Sequence, residues 1–287
     1  MEMLVSTDWL AKELGANDLR VVDATYLALD PSRDTHAEYE AGHIPGAVYL
    51  DLANLKDDQT DLPGMLPSAE KFASRMQSLG LGDGSRVVLY DNSPHRTAAR
   101  AWFMFRMFGV NSVAILDGGL AKWTAEGRPL EAGKVTLRHR HFTVWRDGSM
   151  VRDIDQMKAN LASRAEQVVD ARSAARFTGE EADPRGLASG HIPGARNLPY
   201  SDLLNTDGTF RSKDELRAAF AAAGVDLAKP LVTTCGSGVT AAVVTFAAAL
   251  LGREDLALYD GSWSEWGLRP DTEKEIGAAC STTTPTA

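Results

Sequence analysis

Cysteine is nearly missing from this chain: Cys235 and Cys280 are the two among 287 residues. Two thiols are too few for a disulfide framework or a zinc cluster, and their scarcity suits a reducing compartment. Positive charge is short as well. Lys and Arg number 30 against 39 Asp and Glu, a net charge of −9. That balance argues against nucleic acid or an anionic membrane as the main partner. Long apolar runs are lacking too. The longest, Ala241 to Leu251, falls short of the roughly 20 residues that a bilayer-spanning helix needs. Met1 to Leu14 carries Asp8 and Glu13 and has no basic-then-apolar leader pattern, so a cytoplasmic protein is expected.

What is present is a soluble-protein balance, 44% apolar and 24% charged, arranged as a repeat. Val21-Val22-Asp23-Ala24 returns as Val168-Val169-Asp170-Ala171, and Gly42 to Ala47 (Gly-His-Ile-Pro-Gly-Ala) returns unchanged at Gly190 to Ala195. The apolar run Val87 to Tyr90 corresponds to Leu231 to Thr234, and Leu116 to Trp123 to Tyr259 to Trp266. The offsets stay between 143 and 148 residues. A fixed offset over ordered landmarks identifies a duplicated domain. Each half alternates short β-branched runs with helical patterns, which predicts an α/β fold with parallel sheets covered by helices on both faces. The expected division is a first domain over 1–136, a linker over 137–151, a second domain over 152–276 and a flexible tail over 277–287. The basic run Arg138-His139-Arg140-His141 reads as solvated linker rather than a nucleic-acid patch.

The halves differ where chemistry would sit. In the second, the strand Leu231 to Thr234 runs into Cys235-Gly236-Ser237-Gly238-Val239-Thr240 and then an Ala-rich helix. A tight loop feeding a helix aims backbone N–H groups at one point, with the positive end of the helix dipole behind them. A cysteine held there is expected to work as a thiolate nucleophile. A buried structural cysteine is the competing reading. The two flanking glycines and the strand's C-terminal end, where open α/β sheets bind ligands, favour chemistry. In the first half Asp91 takes the cysteine's place, so that half lacks the nucleophile. His43 and His191 recur in both halves and therefore read as structural.

Together these residues resemble the rhodanese superfamily, specifically sulfurtransferases with two tandem rhodanese domains, over nearly the whole chain. The loop from Cys235 to Thr240 and the stretch Asp260 to Trp266 resemble the 3-mercaptopyruvate sulfurtransferase subgroup. The resemblance implies a silent N-terminal domain and no cofactor. It implies sulfane sulfur moving from 3-mercaptopyruvate, via a Cys235 persulfide, to a thiol, thioredoxin or cyanide, with release of pyruvate. Cys235 and Ser237 would then be catalytic, and Gly236, Ser237, Gly238, Val239 and Thr240 would cradle the persulfide. Arg176 and Arg185 would bind the donor. Read from the residues alone, those arginines could equally be surface groups paired with Glu180, Glu181 or Asp183. A guanidinium suits the substrate role because it can grip a carboxylate with two parallel bonds.

Two positions depart from the family pattern. Relatives carry a His before Met-Leu-Pro and an acidic residue upstream, which have been proposed to form a relay with the loop serine. Here those positions are Gly64 and Ala53, so Ser237 is expected to act only by hydrogen bonding. Three alternatives stay open: a thiosulfate:cyanide sulfurtransferase, a non-catalytic sulfur carrier, and a cysteine phosphatase. The last lacks its phosphate-binding Arg, since Ala241 stands six residues after Cys235. Cys280, in the Ser/Thr-rich tail, reads as a spare thiol.

Overall fold

The alternation of β-branched and Ala/Leu-rich runs folds into two units of matching design. The computed structural model describes residues 1–27 and 32–279. Cys280 and the rest of the tail lie outside the described residues. Unit 1 comprises Met1–Met150 with Leu204–Lys213, and unit 2 comprises Val151–Leu203 with Asp214–Ala287.

Unit 1 runs β1 (Leu4–Val5), α1 (Thr7–Glu13), β2 (Leu19–Asp23), α2 (Thr35–Ala41), β3 (Val48–Tyr49), α3 (Ala69–Ser78), β4 (Arg86–Tyr90), α4 (Ala98–Met107), β5 (Val113–Leu116) and α5 (Gly119–Ala125). Its five strands lie in the order β1-β5-β4-β2-β3, all parallel. Helix entries follow the sequence. Ser6 Oγ accepts the Trp9 N–H at 3.1 Å, and Ser68 Oγ accepts that of Lys71 at 3.2 Å, satisfying donors that a helix start leaves open. The stretch Leu204–Phe210 closes on itself through an antiparallel bridge. Its Phe210 N–H donates to Asp117 Oδ1 at 2.8 Å, which ties this stretch to unit 1.

Unit 2 repeats the plan with β6 (Val151–Arg152), α6 (Ile154–Ser163), β7 (Gln167–Asp170), α7 (Ala174–Thr178), β8 (Arg196–Asn197), α8 (Lys213–Ala222), β9 (Leu231–Thr234), α9 (Ala241–Leu250), β10 (Leu256–Tyr259) and α10 (Ser262–Trp266). The order β6-β10-β9-β7-β8 is again parallel throughout. β9 sits mid-sheet with every residue buried, as a strand covered on both faces must be. α9 carries no charged residue and is buried at every position from Ala241 to Ala249. It is a core helix, and its N-terminus is fixed against the sheet.

The repeated Gly-His-Ile-Pro-Gly turns behave alike. Each His is fully buried. His43 stacks on Tyr39 at 4.1 Å and its Nδ1–H donates to the Tyr39 carbonyl. His191 stacks on Phe177 at 3.7 Å and its Nδ1–H donates to the Phe177 carbonyl. Glu131 and Glu275 then close the turns, accepting from the N–H groups of Gly46 and Gly194. The histidines are pins for the turn.

Candidate active site

Cys235 is the first residue past β9 and is 2% exposed. Its loop ends at Thr240, which caps α9 without a side-chain bond. Gly238 has φ +76°, a left-handed conformation that favours glycine. At Gly236 a Cβ would come within 3.2 Å of Arg185 Nη2, so a side chain there would press on that guanidinium. Among the described residues, the N–H groups of Gly236, Ser237, Val239, Thr240 and Ala241 meet no backbone acceptor. Ser237 is half-buried.

α10 holds the start of this loop. The Trp263 N–H donates to the Cys235 carbonyl at 2.9 Å, and the Ser264 N–H to the Gly236 carbonyl at 2.8 Å. The Cys235 N–H donates to Ser262 Oγ at 3.3 Å, and that hydroxyl donates to the Tyr259 carbonyl at 2.8 Å. Ser262 takes φ +48°, uncommon for a non-glycine, and these two bonds help to hold it there.

Arg185 lies against the same loop. Its Nη1 donates to the Gly236 carbonyl at 3.0 Å and to Ser264 Oγ. Its Nε and Nη2 donate to the two carboxylate oxygens of Asp183 at 2.8 and 2.6 Å. Burial works to raise the Asp183 pKa, but the Arg185 side-chain and backbone bonds outweigh it, and the carboxyl sits below its usual range. The Arg176 charge contributes to the same lowering, so both guanidinium groups act on this carboxylate. Arg176 itself donates from Nε to Glu181 Oε1 at 3.0 Å. The ion pairs read as an alternative for these arginines are therefore present. They coexist with the contact of Arg185 on the loop. A two-pronged grip from Arg185 is not free, because its Nε–Nη2 edge already holds Asp183.

Unit 1 supplies an internal comparison. Asp91 follows β4 as Cys235 follows β9. The Leu120 N–H donates to the Asp91 carbonyl at 3.0 Å, as that of Trp263 does to Cys235. Thr97 caps α4 in nearly the same conformation as Thr240 caps α9. Here the side chain is a carboxylate, and the loop closes on it: Oδ1 accepts the Ser93 N–H at 2.9 Å and Oδ2 the Ala98 N–H at 2.8 Å. In unit 1 this strand–loop–helix design thus closes two backbone N–H groups on one of the protein's own carboxyl groups.

The two departure positions lie in unit 1. Gly64 takes φ +70°, a conformation uncommon for residues other than glycine, and its carbonyl accepts from Arg100 Nη2 at 2.8 Å. Ala53 is exposed. Asp183, Ser262 and Ser264 were missed from the sequence. Ser262 and Ser264 belong to the Asp-Gly-Ser-Trp-Ser-Glu-Trp stretch, so their place in the repeat was a usable signal. Asp183 gave none beyond its closeness to Arg185.

Residues 6–126 and 153–269 each match the Rhodanese-like domain. The chain is 42% identical over 280 residues to 3-mercaptopyruvate sulfurtransferase of Homo sapiens, covering 95% of this chain and 94% of that one. It is 43% identical over 274 residues to the protein of the same name from Escherichia coli (strain K12), covering 94% and 97%. The crystal structure of SseA from Escherichia coli, described as a 3-mercaptopyruvate sulfotransferase with the rhodanese fold, superposes with a TM-score of 0.85. The match has 40% identity and covers 92% of this chain and all of that one. Both halves of this chain, one armed with a cysteine and the other filled by a carboxylate, thus have known counterparts, and the chain belongs to the rhodanese family, among its two-domain sulfurtransferases.

Proposed function

We propose that the protein takes sulfur from 3-mercaptopyruvate onto Cys235 and passes it to a thiol. The Cys235 thiolate attacks the donor's sulfur. The C–S bond breaks and its electron pair stays with the three-carbon fragment as the enolate of pyruvate. The proton left on the transferred sulfur moves to the enolate carbon, which gives pyruvate and a persulfide anion on Cys235. Open N–H groups along Gly236, Ser237, Val239 and Thr240, with the α9 terminus behind them, suit that anion. An acceptor thiolate then attacks the outer sulfur and restores the Cys235 thiolate. A dithiol such as reduced thioredoxin would finish as a disulfide with release of hydrosulfide, and cyanide would leave as thiocyanate.

One observation carries this reading: in unit 1 the same loop design already closes two backbone N–H groups on an acidic side chain, that of Asp91. Arg176 supplies the grip on the donor's carboxylate, because its Nη1 and Nη2 are clear of the Glu181 pair. Arg185 adds charge beside the loop, and Ser237 a hydroxyl within it. The chemistry needs Cys235 kept as a thiol, which suits the cytoplasm.

The test is direct. After exposure to 3-mercaptopyruvate, intact-mass measurement should find one added sulfur on Cys235, and pyruvate should appear in equal amount. Cys235→Ser should give neither, and turnover by that variant would overturn the scheme. Thiosulfate is the competing donor, since a Cricetulus griseus relative 40% identical over 281 residues is named thiosulfate sulfurtransferase. The Cys235 loop carries no charge of its own, which disfavours a dianion. At least a tenfold higher kcat/KM is expected for 3-mercaptopyruvate, and the reverse order would reassign the donor.

A further inference from the structure

We infer that Ser264 and Asp183 are positioning residues for the Cys235 loop, acting through the Gly236 carbonyl. That oxygen accepts three hydrogen bonds: from the Ser264 N–H at 2.8 Å, from Ser264 Oγ–H at 2.7 Å and from Arg185 Nη1 at 3.0 Å. A trans peptide is planar, and its C=O and the next N–H point in opposite directions. Fixing the Gly236 oxygen toward α10 and Arg185 therefore fixes the Ser237 N–H toward the other side. The Trp263 N–H on the Cys235 carbonyl does the same for the Gly236 N–H. The first two amides of the loop are thus aimed from behind, before any anion arrives. Preorganised donors of this kind need no reorganisation when charge forms.

Asp183 is what keeps Arg185 available for this task. A guanidinium has five N–H donors in a rigid plane. Asp183 takes the Nε–Nη2 edge with both oxygens, and the Asp183 side chain is 3% exposed. A clamp on one edge sets the direction of the whole plane, so Nη1 meets the Gly236 carbonyl and Ser264 Oγ together. Four of the five donors are used within the protein. Most of the hydrogen-bonding capacity of Arg185 is therefore spent on the loop and on Asp183.

The inference rests on the persulfide reading, and the experiment separates the two. Cys235 is loaded with sulfur from sodium polysulfide, which requires no recognition of an organic donor. The lifetime of the added sulfur is then followed by intact mass. Ser264→Ala and Asp183→Asn should each shorten that lifetime at least threefold, and Ser264→Thr, which keeps the hydroxyl, should restore most of it. With 3-mercaptopyruvate, Ser264→Ala should lower kcat at least fivefold while KM stays within twofold. An unchanged lifetime and kcat in Ser264→Ala, or a rise in KM alone, would overturn the inference. If Ser264→Thr does not fold, the Asp183→Asn lifetime decides. If the wild type holds polysulfide sulfur but never releases pyruvate, the donor assignment fails while the lifetimes still test the positioning.

Discussion

How many N–H groups a guanidinium has left decides what it can hold. Arg185 has one, on Nη2, after its bonds to Asp183, Gly236 and Ser264. Among the described residues Arg176 spends Nε on Glu181, and in the proposed scheme its Nη1–Nη2 end meets the donor's carboxylate. Replacing Arg176 by Lys keeps the charge and removes the fork. Losing one charge-assisted bond is worth about 1.5–3 kcal/mol, so Arg176→Lys should raise KM for 3-mercaptopyruvate about tenfold or more. kcat should move much less. Arg185→Lys should do the opposite, with kcat falling more than KM, because the loop rather than the donor loses its support. Steady-state pyruvate release separates the two patterns, and equal effects on both constants in both variants would refute the division of labour.

At the scale of elements, a buried ion pair at the end of β7 packs against α10. Asp170 closes β7, and its carboxylate accepts from Arg172 Nε and Nη2, the latter at 2.7 Å. The guanidinium also donates to the Gly190 carbonyl at 2.8 Å and lies over the Trp263 ring at 4.4 Å. The side chains are 1% and 4% exposed. Removing one partner of such a pair strands a buried charge, at about 3–5 kcal/mol. Asp170→Ala should therefore destabilise unit 2 by that order in urea unfolding. Asp214→Ala, which breaks a pair whose carboxylate is 94% exposed, should cost under about 1 kcal/mol. Similar losses in the two variants would refute the argument. Neither pair differs visibly from the other in the sequence, because burial is a tertiary property. The same limit explains which elements were legible. β9 falls where its apolar run predicts, and α9 ends within a residue of its expected span. The two-residue strands β1, β3, β6 and β8 show no period, since their pairing partners define them. α2 is a mostly polar helix whose one buried residue is Tyr39, so it offers little apolar period to read. The Cys235 loop was legible because its nucleophile, glycines and helix start are contiguous. Its supports, Asp183 and Ser264, are brought in by folding.

Across the whole molecule the duplication gives the same loop design two occupants, and the occupant in unit 1 ties stability to pH. Burial pushes the Asp91 carboxyl up from 3.8 to about 6, against the pull of the Ala98 and Ser93 N–H groups. The native state therefore binds more protons than the unfolded chain between those values. Stability linked to Asp91 is fully present below about pH 3.8 and is lost as pH rises through about 6. At about 1.4 kcal/mol per unit, most of the 2.2-unit gap is expressed between pH 4 and 7, giving about 2–3 kcal/mol. Asp91→Asn cannot titrate. It should lower stability at pH 4, because its amide nitrogen cannot accept a backbone N–H as either oxygen of the carboxyl group can. Between pH 4 and 7 the wild type should then lose about 2–3 kcal/mol more than the variant in urea unfolding. Stability curves that stay parallel across that range would mean that the loop amides keep Asp91 ionised throughout. The carboxylate would then be a permanent anion in the unit 1 loop, and the pH dependence would have to come from other groups.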